Sequence, residues 1–418
     1  MLPAGARNPR AHLIGRRGVV ALLLAATTIN YVDRQTLSVL APLLQREMRL
    51  TSLDYSYVVN SFLVVYSICY VLAGAMVDRL GTRRGLGYAV VWWSLAEMLH
   101  AFATGLVSLC VARALLAVGE AAIIPAGVKA ISEWFEDRER GLAVGIFEMG
   151  LSIGPILAPP LVVWIAMRQN WRYAFLWTGA TGLVWAIPWL LLYRRPAVAA
   201  SASASDVPWA KVARSRSVLA VGLARFFGDP VWYFYLFWLP KYLADARGLS
   251  MASIGAFAWI PFVAALAGGL AGGGISSRLV RAGMPPVRAR QAVLLASGLL
   301  VSAGVLSVYA ASLFGAMLAV SAGAFAMQCW GANLDTLPTD LFPSEQVARA
   351  VGLCGLFGSV GGILFMAVTG YLVQHYSYTP VWIATAVMYP VGYLLLRVLL
   401  RGYDPNPHKP RPRLSSAL

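Results

Sequence analysis

The sequence predicts an all-α integral membrane fold, with twelve transmembrane helices arranged as two six-helix halves. Three observations carry this. Only 12% of the 418 residues are charged, 59% are hydrophobic and the mean hydropathy is +0.67; a soluble domain carries about 25% charged residues. Apolar runs of about twenty residues, long enough to cross a bilayer, recur along the whole chain. Midway, the stretch from Arg194 to Ser217 carries Ala200-Ser201-Ala202-Ser203-Ala204-Ser205 and several basic residues, the composition of a flexible linker.

Taken in order, the spans are expected at about 18–45, 54–78, 85–105, 108–132, 141–167, 172–193, 218–244, 251–277, 288–308, 312–337, 347–373 and 379–400. The first run follows Arg16-Arg17 and so imitates a signal peptide. No small-residue cleavage site follows it, and eleven more spans do, so it is expected to stay in the mature protein. The chain then divides into a tail (1–17), a first bundle (18–193), a linker (194–217), a second bundle (218–400) and a second tail (401–418). Trp134, Trp164, Trp171, Trp209, Tyr376 and Tyr378 cluster near span ends, as interfacial anchors do.

The net charge of +16 would suggest nucleic acid in a soluble protein. Here the positive-inside rule accounts for it. With the N-terminus inside, most Lys and Arg fall in cytoplasmic loops and tails, among them Arg7, Arg10, Arg83, Arg84, Arg195, Arg281, Arg411 and Arg413. Both termini are therefore expected in the cytoplasm, and no nucleic-acid partner is expected. Arg34, Arg113, Lys129 and Arg225 remain at membrane depth. Cys69, Cys110, Cys329 and Cys354 sit in apolar segments without CxxC spacing, and the four histidines show no ligand pattern. No metal site is expected.

Asn30-Tyr31-Val32-Asp33-Arg34 interrupts the first span with a carboxylate and a guanidinium, which are costly at that depth and point to function. The fourth span repeats the device, with Arg113 and Glu120 seven residues, or two turns, apart on nearly one face. Such pairs serve either as buried ion pairs that fix helix register or as the lining of one aqueous cavity. In the second case the arginines hold an anion and the acids hold protons. Arg34 suits a carboxylate because its planar fork binds both oxygens, which Lys cannot do. Trp330 and Asn333, one turn apart on the tenth span, offer an aromatic face beside an amide, which suits a sugar ring and its hydroxyls. Gly150-Leu151-Ser152-Ile153-Gly154 matches the GxSxG nucleophile pattern, but it lies inside a span with no preceding strand, so no hydrolase is expected.

The loop after span two reads Gly74-Ala75-Met76-Val77-Asp78-Arg79-Leu80-Gly81-Thr82-Arg83-Arg84. A worn copy, Gly273-Gly274-Ile275-Ser276-Ser277-Arg278-Leu279, follows span eight, so the halves read as repeats. The first copy resembles the signature of the major facilitator superfamily, which implies two six-helix bundles around a central site. The resemblance makes Asp78, Arg79 and Arg83 gate residues, with Asp78 pairing basic helix ends and holding the inward side shut. Asn30 to Arg34 and Arg113 to Glu120 are similar to the anion:cation symporter branch. Asp229 to Pro240 and Gln328 to Leu334 look most like its hexuronate transporters, and the likeness runs from about Val20 to Leu399. It implies Tyr31, Arg34 and Tyr66 at the substrate. It also implies Asp33 and Glu120 in proton coupling, with Arg113 as the conditional partner of Glu120. Leu151, standing where galactonate carriers have an amide, and the additional acid Glu148 are departures that bear on which sugar acid is carried.

The expectation is thus a proton-coupled importer of a sugar acid, a hexuronate first, working by alternating access. The alternatives are a symporter of an aldonate or small carboxylate, or a non-transporting membrane sensor. Its expected partners are a small organic anion, protons and the lipid bilayer of a bacterial inner membrane, with a monomer as the working unit. No cofactor is expected beyond the proton as coupling ion.

Overall fold

Caps and tight turns cut the apolar chain into rods. The computed structural model describes residues 14–194 and 212–401. Most of both predicted tails and of the linker lies outside the described residues, including Arg7, Arg10, Arg195, Trp209, Arg411 and Arg413. Span one is Arg16–Met48, and Arg49 ends it in the left-handed conformation, φ 54°. Thr51 and Asp54 then form a reciprocal capping box that starts span two, Ser52–Leu80. Gly81, at φ 77°, makes the sharp turn into span three, Thr82–Leu99, which a 3-10 turn extends over His100–Phe102. Ala in place of Gly81 would be strained.

Span four runs as Leu106–Glu120 and Ile123–Trp134, span five as Asp137–Glu148 and Gly150–Arg168, and span six as Trp171–Leu192. In the second half, span seven is Arg216–Asp245 and span eight is Met251–Phe257 with Ile260–Arg281. Span nine combines Pro286–Val301, Ser302–Val305 and Leu306–Tyr309. Spans ten to twelve are Leu313–Leu341, Ser344–His375 and Thr379–Leu399. Every expected span has its helical rod.

Length and apolarity alone recognise only eight of these, or nine when the halves of span two, bent by 51° between Ser52–Tyr70 and Leu72–Leu80, count as one. The exceptions are spans one, three and seven. Each carries charge into its middle or along its length: Asp33 and Arg34; Arg83, Arg84 and Glu97; Arg225, Asp229 and Lys241. These three spans carry part of the polar interior, and span four, which passes on apolarity, carries the buried Arg113 and Glu120.

Glycines set how closely the rods approach. On span five, Gly150 and Gly154 press on Thr27, Thr28 and Tyr31 of span one, leaving no room for a Cβ. Gly358, Gly361 and Gly362 of span eleven do the same against Asp229, Phe226 and Tyr233 of span seven. These faces hold each half together.

Contacts between the halves gather at one end. There Tyr55 donates to the Phe237 carbonyl at 2.6 Å and its ring meets Trp238 edge-on at 5.1 Å. Ser52 N donates to Gln374 Oε1 at 2.9 Å, Gly370 abuts Ser56, and Gly255 abuts Val163. At the opposite end, which carries Arg16, Arg194 and Arg216, the glycines of spans two, five, eight and eleven (Gly74, Gly141, Gly145, Gly273, Gly352) face open space. The halves therefore close at the Tyr55 end and part at the basic end. A cysteine at Met76, a third exposed at the basic end, should react quickly with an impermeant maleimide, whereas one at Ser56, fully buried, should be protected. Measured labelling rates in the opposite order would contradict this arrangement.

Candidate functional site

Span one puts Tyr31 and Arg34 one turn apart on one face and rotates Asp33 about 100° away from Arg34. Arg34 is 4% exposed and Glu120 fully buried. Arg34 donates from both Nε and Nη2 to Glu120 Oε2, at 3.0 and 2.8 Å. The rings of Tyr31, Phe62 and Tyr66 surround the guanidinium, with centroids 4.6, 4.9 and 4.9 Å from its central carbon. Phe62 and Tyr66, one turn apart on span two, stack at 5.5 Å. A desolvated cation held over aromatic faces gains about 2 kcal/mol per good contact.

Glu120 thus pairs across spans with Arg34, not with Arg113 on its own helix. The reason is the crossing of the two rods: span one brings Arg34 onto Glu120, while Arg113 lies two turns, about 10.5 Å, back along span four. Arg113 is fully buried, its central carbon 4.7 Å from the other neighbour of Arg34, the Phe62 ring. Its three guanidinium nitrogens lack hydrogen-bond partners among the described residues. Asp33 faces the interior of the first half, near Glu97, Glu120, Arg113, Thr178 and Trp93, and neither of its oxygens has a hydrogen-bond partner among the described residues.

Across from Arg34, Tyr233 of span seven lies near Tyr31, Tyr66 and Arg34. Below it, Arg225 pairs with Asp229 at 3.3 Å and with Asp335 of span ten. Side-chain exposure climbs from 4% at Arg34 through 17% at Arg225 and 27% at Asp229 to 60% at Asp335. The path from Arg34 thus opens toward the basic end. Glu148 of span five is exposed on that path, near Asp335 and Arg225.

Trp330 and Asn333 lie deeper in the second half. Trp330 packs edge-on against Tyr389 at 4.9 Å, and Asn333 Nδ2 donates to the Cys329 carbonyl of its own helix at 2.9 Å. Trp330 Nε1 and Asn333 Oδ1 are buried without partners. At the basic end, Asp78 accepts from Lys129 Nζ at 2.6 Å, within the first half. Arg79 is exposed, and Arg83 donates to the Leu190 carbonyl. With the basic end open, no contact of Asp78 with the second half is seen among the described residues.

Phe62 and Tyr233 carry no site signal of their own in the sequence, and the lone acid Glu97 reads there as a gate, packing or interhelical partner rather than a ligand. The 62, 66, 70 spacing of Phe62, Tyr66 and Tyr70 on span two was a readable sign of one aromatic face. Nothing in the chain order announces that Glu97 faces Asp33.

Breaking a buried ion pair on one side strands a charge and costs about 3–5 kcal/mol, whereas removing both partners costs much less. Arg34→Gln and Glu120→Gln should each lower the thermal unfolding midpoint of the purified protein, and the double variant should recover most of the loss. Strictly additive losses would contradict the pairing.

The Major Facilitator Superfamily model matches residues 23–334 and 287–417. The chain is 31% identical over 405 residues to the hexuronate transporter of Escherichia coli K12, covering 92% of this chain and 94% of that one. It is 35% identical over 274 residues to the galacturonate transporter of Dickeya chrysanthemi, covering 61% and 79%. To the D-galactonate transporter of Escherichia coli O6:H1 it is 29% identical over 426 residues, covering 94% and 98%. These relatives are named as transporters, none as an enzyme. Among solved structures, a bacterial homolog of the human lysosomal transporter Spinster, inward-facing and occupied, shares the fold with TM-score 0.75 at 17% identity, covering 92% of this chain and 97% of that one. The chain is a multi-pass membrane protein, and it belongs to the Major Facilitator Superfamily.

Proposed function

We propose that this protein is a proton-coupled carrier that imports a sugar acid, most simply a hexuronate, by alternating access. The observation that carries the reading is the Arg34 fork, held at membrane depth by a carboxylate on another span. A guanidinium that already accommodates one carboxylate inside an aromatic enclosure has the geometry to accept that of a substrate in its place. Tyr31 and Tyr66 bring hydroxyls to the same spot. Trp330 Nε1 and Asn333 Oδ1, buried without partners among the described residues, are the second-half groups we assign to sugar hydroxyls.

Coupling follows from competition. A substrate carboxylate on Arg34 displaces Glu120, and a buried carboxylate without a counter-ion is costly until it is protonated. Anion and proton therefore bind together, and binding tightens as pH falls. Asp33, one residue from Arg34, belongs to the same proton-handling set. With the positive-inside orientation in a bacterial inner membrane, the basic end faces the cytoplasm and the described conformation is inward-facing. Closing that end brings Asp78, Arg79 and Arg83 toward the second half as the gate. An aldonate such as galactonate is the second reading, supported by the likeness to a D-galactonate transporter over nearly the whole chain.

Proteoliposomes test the whole scheme. Wild-type protein should show counterflow of labelled glucuronate or galactonate and should accumulate it under an inward proton gradient. Asp33→Asn and Glu120→Gln should abolish accumulation, while at least one of them keeps exchange. Accumulation surviving in both variants would remove protons from the mechanism. Absence of counterflow for every sugar acid tried would remove the substrate class.

A further inference from the structure

The first half buries more acid than base. At 4% exposure or less it contains three carboxylates, Asp33, Glu97 and Glu120, and two guanidiniums, Arg34 and Arg113. Arg34 is committed to Glu120. Arg113, from span four, has no hydrogen-bond partner among the described residues and lies within electrostatic reach of Asp33 of span one and Glu97 of span three.

Glu97 has a defined seat. Thr178 of span six donates to its Oε1 at 3.3 Å, and its Oε2 has no hydrogen-bond partner among the described residues. His100, on the turn that extends span three, stacks on Phe175 of span six with centroids 5.0 Å apart. Its Nδ1 lies 3.0 and 3.1 Å from the Ala96 and Glu97 carbonyls and 3.7 Å from Glu97 Oε2, so Nδ1 bears the hydrogen and donates to the carbonyls. Its Nε2 is buried without a partner, where a second N–H of a charged ring would find no acceptor. His100 is therefore the neutral tautomer and does not balance the extra acid. The charged groups facing Glu97 are then Asp33 from span one and Arg113 and Glu120 from span four; span six offers only the neutral Thr178 and Phe175.

Glycine packing closes one side of Glu97. Gly179 and Gly182 of span six lie against Ser94 and Met98 on either side of it, with no room for a Cβ. A buried set with one negative charge in excess is heavily penalised, and the smallest group that cancels it is a proton.

We propose that Asp33 and Glu97 share one resident proton in this conformation, which makes Glu97 a third acid of the coupling set. Arg113 neutralises the other negative charge of the pair. Thr178 positions Glu97 so that Asp33 and Glu97 can exchange the proton as the halves move. The presence of this proton follows from the charge count; its part in transport rests on the coupling role proposed for Asp33.

Infrared spectroscopy of the purified protein, without substrate, tests the proton directly through the C=O stretch of a protonated carboxyl. Glu97→Gln leaves two acids for two arginines, so the band assigned to the shared proton should vanish, and Asp33→Asn should remove it as well. Arg113→Gln should strengthen the protonated-carboxyl signal by leaving a second acid unpaired. A wild-type protein without the band, or a band that survives in Glu97→Gln, would overturn the proposal. Glu97→Gln should also lower proton-driven accumulation of glucuronate in proteoliposomes at least tenfold while keeping exchange. If the band behaves as stated and wild-type protein carries no sugar acid, the transport reading fails and the resident proton stands. If wild-type protein carries glucuronate and Glu97→Gln accumulates it normally, Glu97 falls from the coupling set and the transport reading stands.

Discussion

Arg34 and Glu120 meet at 2.8 Å, both buried, and that contact ties span one to span four beside a cage of aromatic rings. A buried pair of this kind is stable only while both partners are present. It is therefore a natural place for an exchange of partners, because any ligand that takes Arg34 must also settle the charge on Glu120. The geometry supplies a competing carboxylate already in position. A cavity lined by a free arginine would bind anions without linking them to anything else.

The packing around this contact explains how one exchange can be felt across the molecule. Span one touches span five through Gly150 and Gly154, so Tyr31 sits directly against a second rod. Span seven is clamped to span eleven in the same way through Gly358, Gly361 and Gly362. Each half is thus a packed unit, and the halves meet at the Tyr55 end. The open glycines at the basic end leave flat faces on spans two, five, eight and eleven, of the kind that allows close helix approach.

The fold was largely legible because its signals are additive: every span contributes its own apolar run, and the loop after span two is repeated after span eight. Spans one, three and seven were recovered in the sequence only by tolerating polar residues inside an apolar context, where hydropathy alone rejects them. Tyr31 and Arg34 could be placed on one face by helical spacing, whereas Tyr66, on another span, joined them only through the family resemblance. Partner choice was not legible. Seven-residue spacing puts Arg113 and Glu120 on one face, yet whether Glu120 meets Arg113 or Arg34 depends on how spans one and four cross. Glu97 was undervalued for the same reason. A lone acid in an apolar run looks like packing until Asp33, Arg113 and Thr178, from three other spans, are seen around it. Trp330 and Asn333 were read as neighbours on one face, and that spacing did not reveal that both face a packed interior with one polar atom each left over.

The claim at the centre of this account is that substrate and Glu120 compete for one guanidinium. A cryo-EM map of the protein with glucuronate bound decides it most directly. The account predicts the ligand carboxylate within hydrogen-bond distance of Arg34 Nε and Nη2, with Glu120 moved off them. A map showing Arg34 still paired with Glu120 while glucuronate is held elsewhere would contradict it.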